Sequence, residues 1–166
     1  MGVKHTGPFS NFVVDLIIDQ SGKMFTFERL IPTNDGGVVI VTRYGSKYLM
    51  IKQYRHLIDE VQLSFPKGCG ETGVDPRDNA VDELREEIGC KDPKVRYHGR
   101  ISPDCGITSN QIHVLSCDIE DYSIPIGYED IEGYVLLEAD ELEGMIRSGE
   151  ITDAVSISAY MMAKDP

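Results

Sequence analysis

Residues 81–90 read VDELREEIGC. Four carboxylates, Asp82, Glu83, Glu86 and Glu87, fall within six positions, offset only by Arg85. If the segment is helical, Val81, Leu84 and Ile88 form one stripe that should face a core. Glu83, Glu86 and Glu87 share a different face at i, i+3, i+4 spacing. Like charges so spaced repel by roughly 0.2–0.5 kcal/mol per pair on an exposed helix. Water and salt tolerate that repulsion on a free surface, whereas a cleft demands a cation. Magnesium suits such a face, because it takes hard oxygen ligands and bridges carboxylates to phosphates. For three glutamates alone, a solvated acidic face is the commoner arrangement.

The preceding residues sharpen the reading. PKGCGETGVD (66–75) is a glycine-rich loop, and Gly68, Gly70 and Gly73 let backbone approach a ligand closely. Asp75 suits an N-cap, Pro76 the first helical position, and Asp78 the positive end of the helix dipole. Gly89 is placed to end the helix.

Working outward, the N-terminal half reads as strands. SNFVVDLII (10–18) and KMFTFERL (23–30) flank a turn at 19–22 and predict a hairpin. GVVIVTRY (37–44), KYLMIKQYR (47–55) and VQLSF (61–65) follow, the last stopped by Pro66. Beyond the acidic helix, strands are expected at 94–101, 111–119 and 132–137, and helices at 139–148 and 152–164. This order predicts an α+β fold with a mixed sheet rather than a doubly wound one.

The chain has 166 residues, 41% hydrophobic and 27% charged, which suits one globular domain. Its net charge of −12 disfavours nucleic acid, and no basic patch offsets it. No apolar run reaches the length of a membrane span, and the N-terminus lacks a signal-peptide core. Cysteines 69, 90, 105 and 117 form no C-x-x-C pair, so reduced thiols and a cytoplasmic location are expected.

From Gly68 onward the segment resembles the Nudix hydrolase signature, G-x5-E-x7-R-E-U-x-E-E-x-G-U, where U is aliphatic. Glu83, Leu84, Glu86, Glu87 and Gly89 match, and Cys90 stands in for the last aliphatic. Two positions depart: Val74 replaces the first Glu and Asp82 replaces the Arg. In the family those two side chains are thought to pair and anchor the loop. QYR (53–55), SFPKG (64–68), SPDCGITSNQIHVL (102–115) and GEITDAVSISA (149–159) resemble strings of the ADP-ribose and nucleoside-diphosphate-sugar pyrophosphatase branch. Ser64 stands where that branch usually has Glu.

The resemblance implies a Nudix-type α/β/α sandwich with a mixed β-sheet plus an N-terminal antiparallel hairpin. It implies a single domain over 1–166, with N-terminal strands in 1–35 that can form a homodimer and a catalytic core in 36–166. It implies Mg²⁺-dependent hydrolysis of the pyrophosphate bond of ADP-ribose or a related nucleoside diphosphate sugar, with Mn²⁺ as a substitute. Glu83, Glu86 and Glu87 are the expected metal ligands, with the backbone near Lys67 and Gly68 contributing. A general base is expected in GYEDIEG (127–133), where Glu129 is favoured over Asp130 and Glu132. Arg55, Lys67 and Gly68 are the candidate substrate-binding residues, with Arg55 and Lys67 as phosphate contacts, against a strand-end ion pair for Arg55 and a solvent-facing position for Lys67. His113 is expected to be structural, and His56 and His98 show no evident partners. The expected partner is a nucleoside-diphosphate-linked small molecule, with neither nucleic acid nor membrane. The alternative is a catalytically weak or inactive module of the same fold that binds a nucleotide or a protein. An enzyme that removes oxidised nucleoside triphosphates shares the signature but fits the flanking strings less well.

Overall fold

The computed structural model describes residues 2–164. A three-stranded antiparallel sheet comes first, built from β1 (Gly2–Thr6), β2 (Ser10–Ile18) and β3 (Met24–Pro32). The expected hairpin is β2–β3, and β1 adds a strand that the sequence reading left out. A larger mixed sheet follows, with β4 (Gly37–Tyr44), β5 (Lys47–Arg55), β6 (Glu60–Ser64), β7 (Lys67–Cys69), β8 (Val95–Ile101), β9 (Ile112–Asp118) and β10 (Ile131–Leu137). Its main order is β10-β5-β4-β9-β8, with β6 on β5 and β7 on β4. Only the β4–β9 pairing is parallel among these.

Helices cover both faces of this sheet. α1 (Pro76–Glu83) lies on one face; α2 (Ala139–Ser148) and α3 (Ala154–Ala163) lie on the other. The strand sequences explain this, because a strand covered on both sides must be apolar at consecutive positions. In β4, Val38 and Ile40 pack with Ala80, Leu84 and Ile88 beneath α1. Val39 and Val41 point the other way, against Leu142 and Tyr160 of α2 and α3. β5 repeats the pattern, with Leu49 and Ile51 on the first side and Tyr48 and Met50 on the second. The expected α/β/α sandwich is therefore observed.

The split between β4 and β5 positions the site. The two strands pair only near their shared turn, at Thr42 to Tyr44 with Lys47 to Leu49. They then diverge, β5 pairing with β6 and β4 with β7. Phe65 and Pro66 fill the wedge, and the Ile40 amide donates to the Pro66 carbonyl at 2.9 Å. The start of the predicted glycine-rich loop is thus strand β7, a correction to the loop assigned over 66–75. Its hydrogen bonds to β4 account for the difference.

Candidate functional site

The acidic helix begins as expected. The Asp75 side chain accepts from the Arg77 amide and Pro76 takes the first helical position. The last turn, Leu84–Ile88, widens into a π-helical turn and ends on Gly89 in the left-handed conformation, φ 69°. A Cβ on Gly89 would lie 2.5 Å from the Ser123 carbonyl oxygen, so glycine is required there on two counts. The core stripe is Ala80, Leu84 and Ile88; Val81 is only half-buried, which corrects its assignment to that stripe.

The three glutamates do not share one environment. Glu87 is buried at 1% exposure, Glu83 is half-buried and Glu86 is exposed. Glu87 is anchored where the strand wedge meets the helix, accepting from the Lys67 amide at 3.0 Å. Burial is the main cause that pushes its carboxyl up to about 8. The Glu83 and Glu129 charges push the same way, while the Lys67 hydrogen bond and the Arg55 charge oppose them. Burial, then the charges of Glu86, Glu129 and Asp82, raise Glu83 to about 7. Glu83 packs directly on Gly68, where any Cβ would lie 1.7 Å from its Oε1. Gly68 is therefore a cradle for a carboxylate, not only a flexible point.

A second element closes over this face. Tyr128–Asp130 is a short turn entered from Gly127, with Glu129 and Asp130 at positive φ. The Tyr128 hydroxyl donates to Glu86 at 3.0 Å, and that bond raises the phenol to about 12. Glu129 contributes to the electrostatic load on both Glu83 and Glu87. Asp130 instead pairs with His56 at 2.8 Å, and Glu132 is exposed on β10. Of the three acidic residues in this loop, Glu129 is the one whose charge reaches both glutamates. His56, which showed no evident partner in the sequence, has one here.

A cleft of about 660 Å³ opens beside the carboxylates, lined by Gln53, Arg55, Lys67 and Glu129 among others. Arg55 reaches Ser64 Oγ at 3.5 Å and makes no ion pair among the described residues. Its guanidinium remains available to an anion. Lys67 Nζ instead pairs with Asp153 at 2.7 Å, both side chains largely buried. Burial lowers the Lys67 pKa, opposed by that carboxylate. Burial would raise Asp153, but the Lys67 charge and hydrogen bonds from Lys67 and Ser156 hold it below its ordinary value. Lys67 is thus part of a structural pair, which replaces the solvent-facing alternative. The residues that sequence reasoning missed are Gln53, Tyr128 and Asp153. Lys67 and Asp153 lie too far apart in the chain for any local pattern to link them.

Where the signature has its Glu and Arg, the helix and the loop make other contacts. Asp82 is exposed and pairs with Arg85 at 3.2 Å. The loop is anchored by other groups: Asp35 accepts from the Gly73 amide at 2.7 Å and the Gly70 amide donates to the Gly36 carbonyl at 2.7 Å. Asn79 adds a longer bond to the Glu71 amide.

No three His, Cys, Asp or Glu side chains converge into a ready cage among the described residues. The donor chemistry nevertheless fits a hard divalent cation. Magnesium keeps several waters and commonly uses only one or two carboxylates, so a converged three-ligand cage is not required. A bound cation would relieve the repulsion that raises Glu83 and Glu87.

His113 accepts the structural role expected of it, sharing a 3.1 Å hydrogen bond with the Tyr97 hydroxyl. All four cysteines are free. No described helix is long and apolar enough to cross a membrane.

Residues 33–159 match the family model described as the NUDIX domain. A methanol dehydrogenase activator from Bacillus methanolicus is 28% identical over 159 residues, spanning 91% of this chain and 85% of its own length. An ADP-ribose pyrophosphatase from Bacillus subtilis (strain 168) is 26% identical over 170 residues, spanning 95% and 89%. A crystal structure of an ADP compounds hydrolase shares the fold at a TM-score of 0.79 and 19% identity, over 97% of this chain and 88% of that one.

Proposed function

The chain belongs to the NUDIX domain family, and from that premise we propose that it hydrolyses the pyrophosphate bond of ADP-ribose or a related nucleoside diphosphate sugar. The products are a nucleoside monophosphate and a sugar phosphate. The observation that carries this reading is the graded carboxylate face, in which Glu83 packs on Gly68, Glu86 meets Tyr128 and Glu87 accepts from the Lys67 amide, beside a cleft lined by Arg55 and Glu129. The similarity to the Bacillus subtilis ADP-ribose pyrophosphatase supports the substrate class.

Glu83, Glu86 and Glu87 would hold Mg²⁺, or Mn²⁺ in its place, with the backbone near Lys67 and Gly68 contributing. When bound, such an ion neutralises diphosphate charge and makes a bound water more acidic. The chain's own groups do the rest. Arg55 meets the substrate phosphates, and its charge draws an anion toward a protein of net charge −12. Glu129 takes a proton from the attacking water. The water oxygen bonds to one phosphorus as the bridging P–O bond breaks. Positioning and charge neutralisation supply most of the acceleration in such transfers.

We also propose a homodimer formed through the N-terminal strands. Leu16 and Ile18 register opposite Thr26 and Met24, which leaves three apolar side chains exposed on one face of a small sheet. The free thiols, two of them exposed, suit a reducing cytoplasm.

A second reading has its own observation. The similar protein from Bacillus methanolicus is named for activating a dehydrogenase, and Val74 and Asp82 break the family signature. On that reading the chain is a weak or inactive module that binds a nucleotide or a protein. One experiment separates the two. The protein is incubated with Mg²⁺ or Mn²⁺ and ADP-ribose, other nucleotide sugars, dinucleoside polyphosphates or nucleoside triphosphates, and monophosphate release is measured. Turnover of a nucleotide sugar that is lost in Glu86→Gln/Glu87→Gln is expected. Absence of turnover on every substrate with either metal sinks the enzyme reading; undiminished turnover in the double variant sinks the metal assignment.

A further inference from the structure

The 127–130 turn holds Glu129 in place against its own backbone preference. Glu129 and Asp130 both adopt positive φ, 45° and 61°, behind Gly127 at 91°. Two successive non-glycine residues there persist only where surrounding contacts enforce them. The Gly127 amide donates to the Ile131 carbonyl at 2.7 Å, which closes the turn on itself. Two ties reach it from β5 and its following turn: Gln53 Nε2 donates to the Glu129 carbonyl at 2.7 Å, and His56 pairs with Asp130.

Gln53 is the unexpected member. Strand alternation puts it on the same face as Leu49 and Ile51, which are fully buried and apolar. It is itself only 4% exposed, and its Oε1 is buried with no hydrogen-bond partner. An apolar residue of the same length would fill that position without burying an unpaired oxygen of its own. What a glutamine provides there is the bond to Glu129. The His56–Asp130 pair is exposed at 75% and 55% of its side chains, so it is the weaker tie.

We propose that Gln53 is a positioning residue that fixes the main chain of Glu129, in the turn that Tyr128 ties to Glu86, with the His56–Asp130 pair as an outer tie. This rests on the reading above, in which Glu129 takes the proton from water. Removing the Gln53 bond frees the turn to relax, which displaces the base while leaving Arg55 and the glutamates in place.

The test uses Gln53→Met, Glu129→Gln, the double variant and His56→Ala, assayed on whichever nucleotide sugar the wild type hydrolyses. Gln53→Met should lower kcat at least about tenfold and change KM less than about twofold. In the Glu129→Gln background the same change should lower kcat less than about twofold further. His56→Ala should give a smaller loss that is also absent in that background. Amide hydrogen exchange over 127–131 should rise in Gln53→Met, with Tm not reduced. Wild-type kcat in Gln53→Met, or an equal loss in both backgrounds, overturns the proposal. If Glu129→Gln keeps full kcat, the base assignment falls on its own. Exchange then decides the positioning claim: unchanged exchange over 127–131 in Gln53→Met refutes it, and faster exchange upholds Gln53 as the tie that holds the turn.

Discussion

Replacing Glu87 with glutamine should stabilise the metal-free protein at alkaline pH. Glu87 is almost fully buried, and its carboxyl is raised from 4.5 to about 8. A carboxyl whose native pKa exceeds its unfolded value destabilises the fold once ionised. The penalty is absent below the unfolded value, grows as pH rises from about 4.5, and is complete above about 8. At ~1.4 kcal/mol per unit, the shift bounds that penalty at about 5 kcal/mol. Glu83 and Glu129 share the same repulsion, so about 2–5 kcal/mol is the expected gain. For a chain of this length that is a Tm rise on the order of 5–15 °C. Glutamine keeps the shape and an oxygen to accept from the Lys67 amide. The assay is thermal unfolding of both proteins in EDTA at pH 5 and pH 8.5. The two should nearly coincide at pH 5 and separate at pH 8.5, with the variant higher. If the proposed metal assignment holds, Mg²⁺ at pH 8.5 should raise the wild type more than the variant, because a cation stabilises the ionised form of Glu87. A variant no more stable than wild type at pH 8.5 in EDTA refutes the claim that Glu87 carries an uncompensated charge.

Two further outcomes follow from single contacts. Gly68→Ala puts a methyl group 1.7 Å from Glu83 Oε1, so Glu83 must swing away; turnover should fall by on the order of 10²-fold with Tm within a few degrees, measured by kcat/KM and thermal unfolding together. Lys67→Met leaves the Asp153 carboxylate buried without its cation, which should cost about 3 kcal/mol at pH 7 by denaturant unfolding. Because Asp153 is held below its ordinary value of 3.8, wild-type stability from this pair is present at neutral pH and lost in acid, so the two curves should converge below about pH 4.

The sandwich was legible because its signals are local. Consecutive apolar residues in 37–44 and 47–51 announce strands covered on both faces, and they are. The capped acidic helix was legible for the same reason, since Asp75, Pro76 and Gly89 are punctuation that acts within one turn. What escaped was everything set by contacts between distant segments. Strand β7 exists because β4 parts from β5 and leaves hydrogen-bonding groups to pair. The unequal burial of the three glutamates depends on where the wedge of Phe65 and Pro66 meets the helix, and periodicity alone makes the three look equivalent. Gln53, Tyr128 and Asp153 meet Glu129, Glu86 and Lys67 only through the fold.

The same distinction bears on the two departures from the family signature. A Glu at 74 and an Arg at 82 would tie the loop to the helix by one ion pair, and an exposed pair of that kind contributes at most about 1 kcal/mol. Here the loop is tied through backbone amides instead, Gly73 to Asp35 and Gly70 to Gly36. Such bonds fix the main chain itself, which is what must stay in place if Gly68 is to cradle Glu83. The Asp35 bond is itself exposed, so its contribution is comparable with that of the missing pair. Asp82 is then released to the surface, where Arg85 meets it. Its charge still adds to the load on Glu83, which strengthens the demand for a cation on the face where the family signature places one.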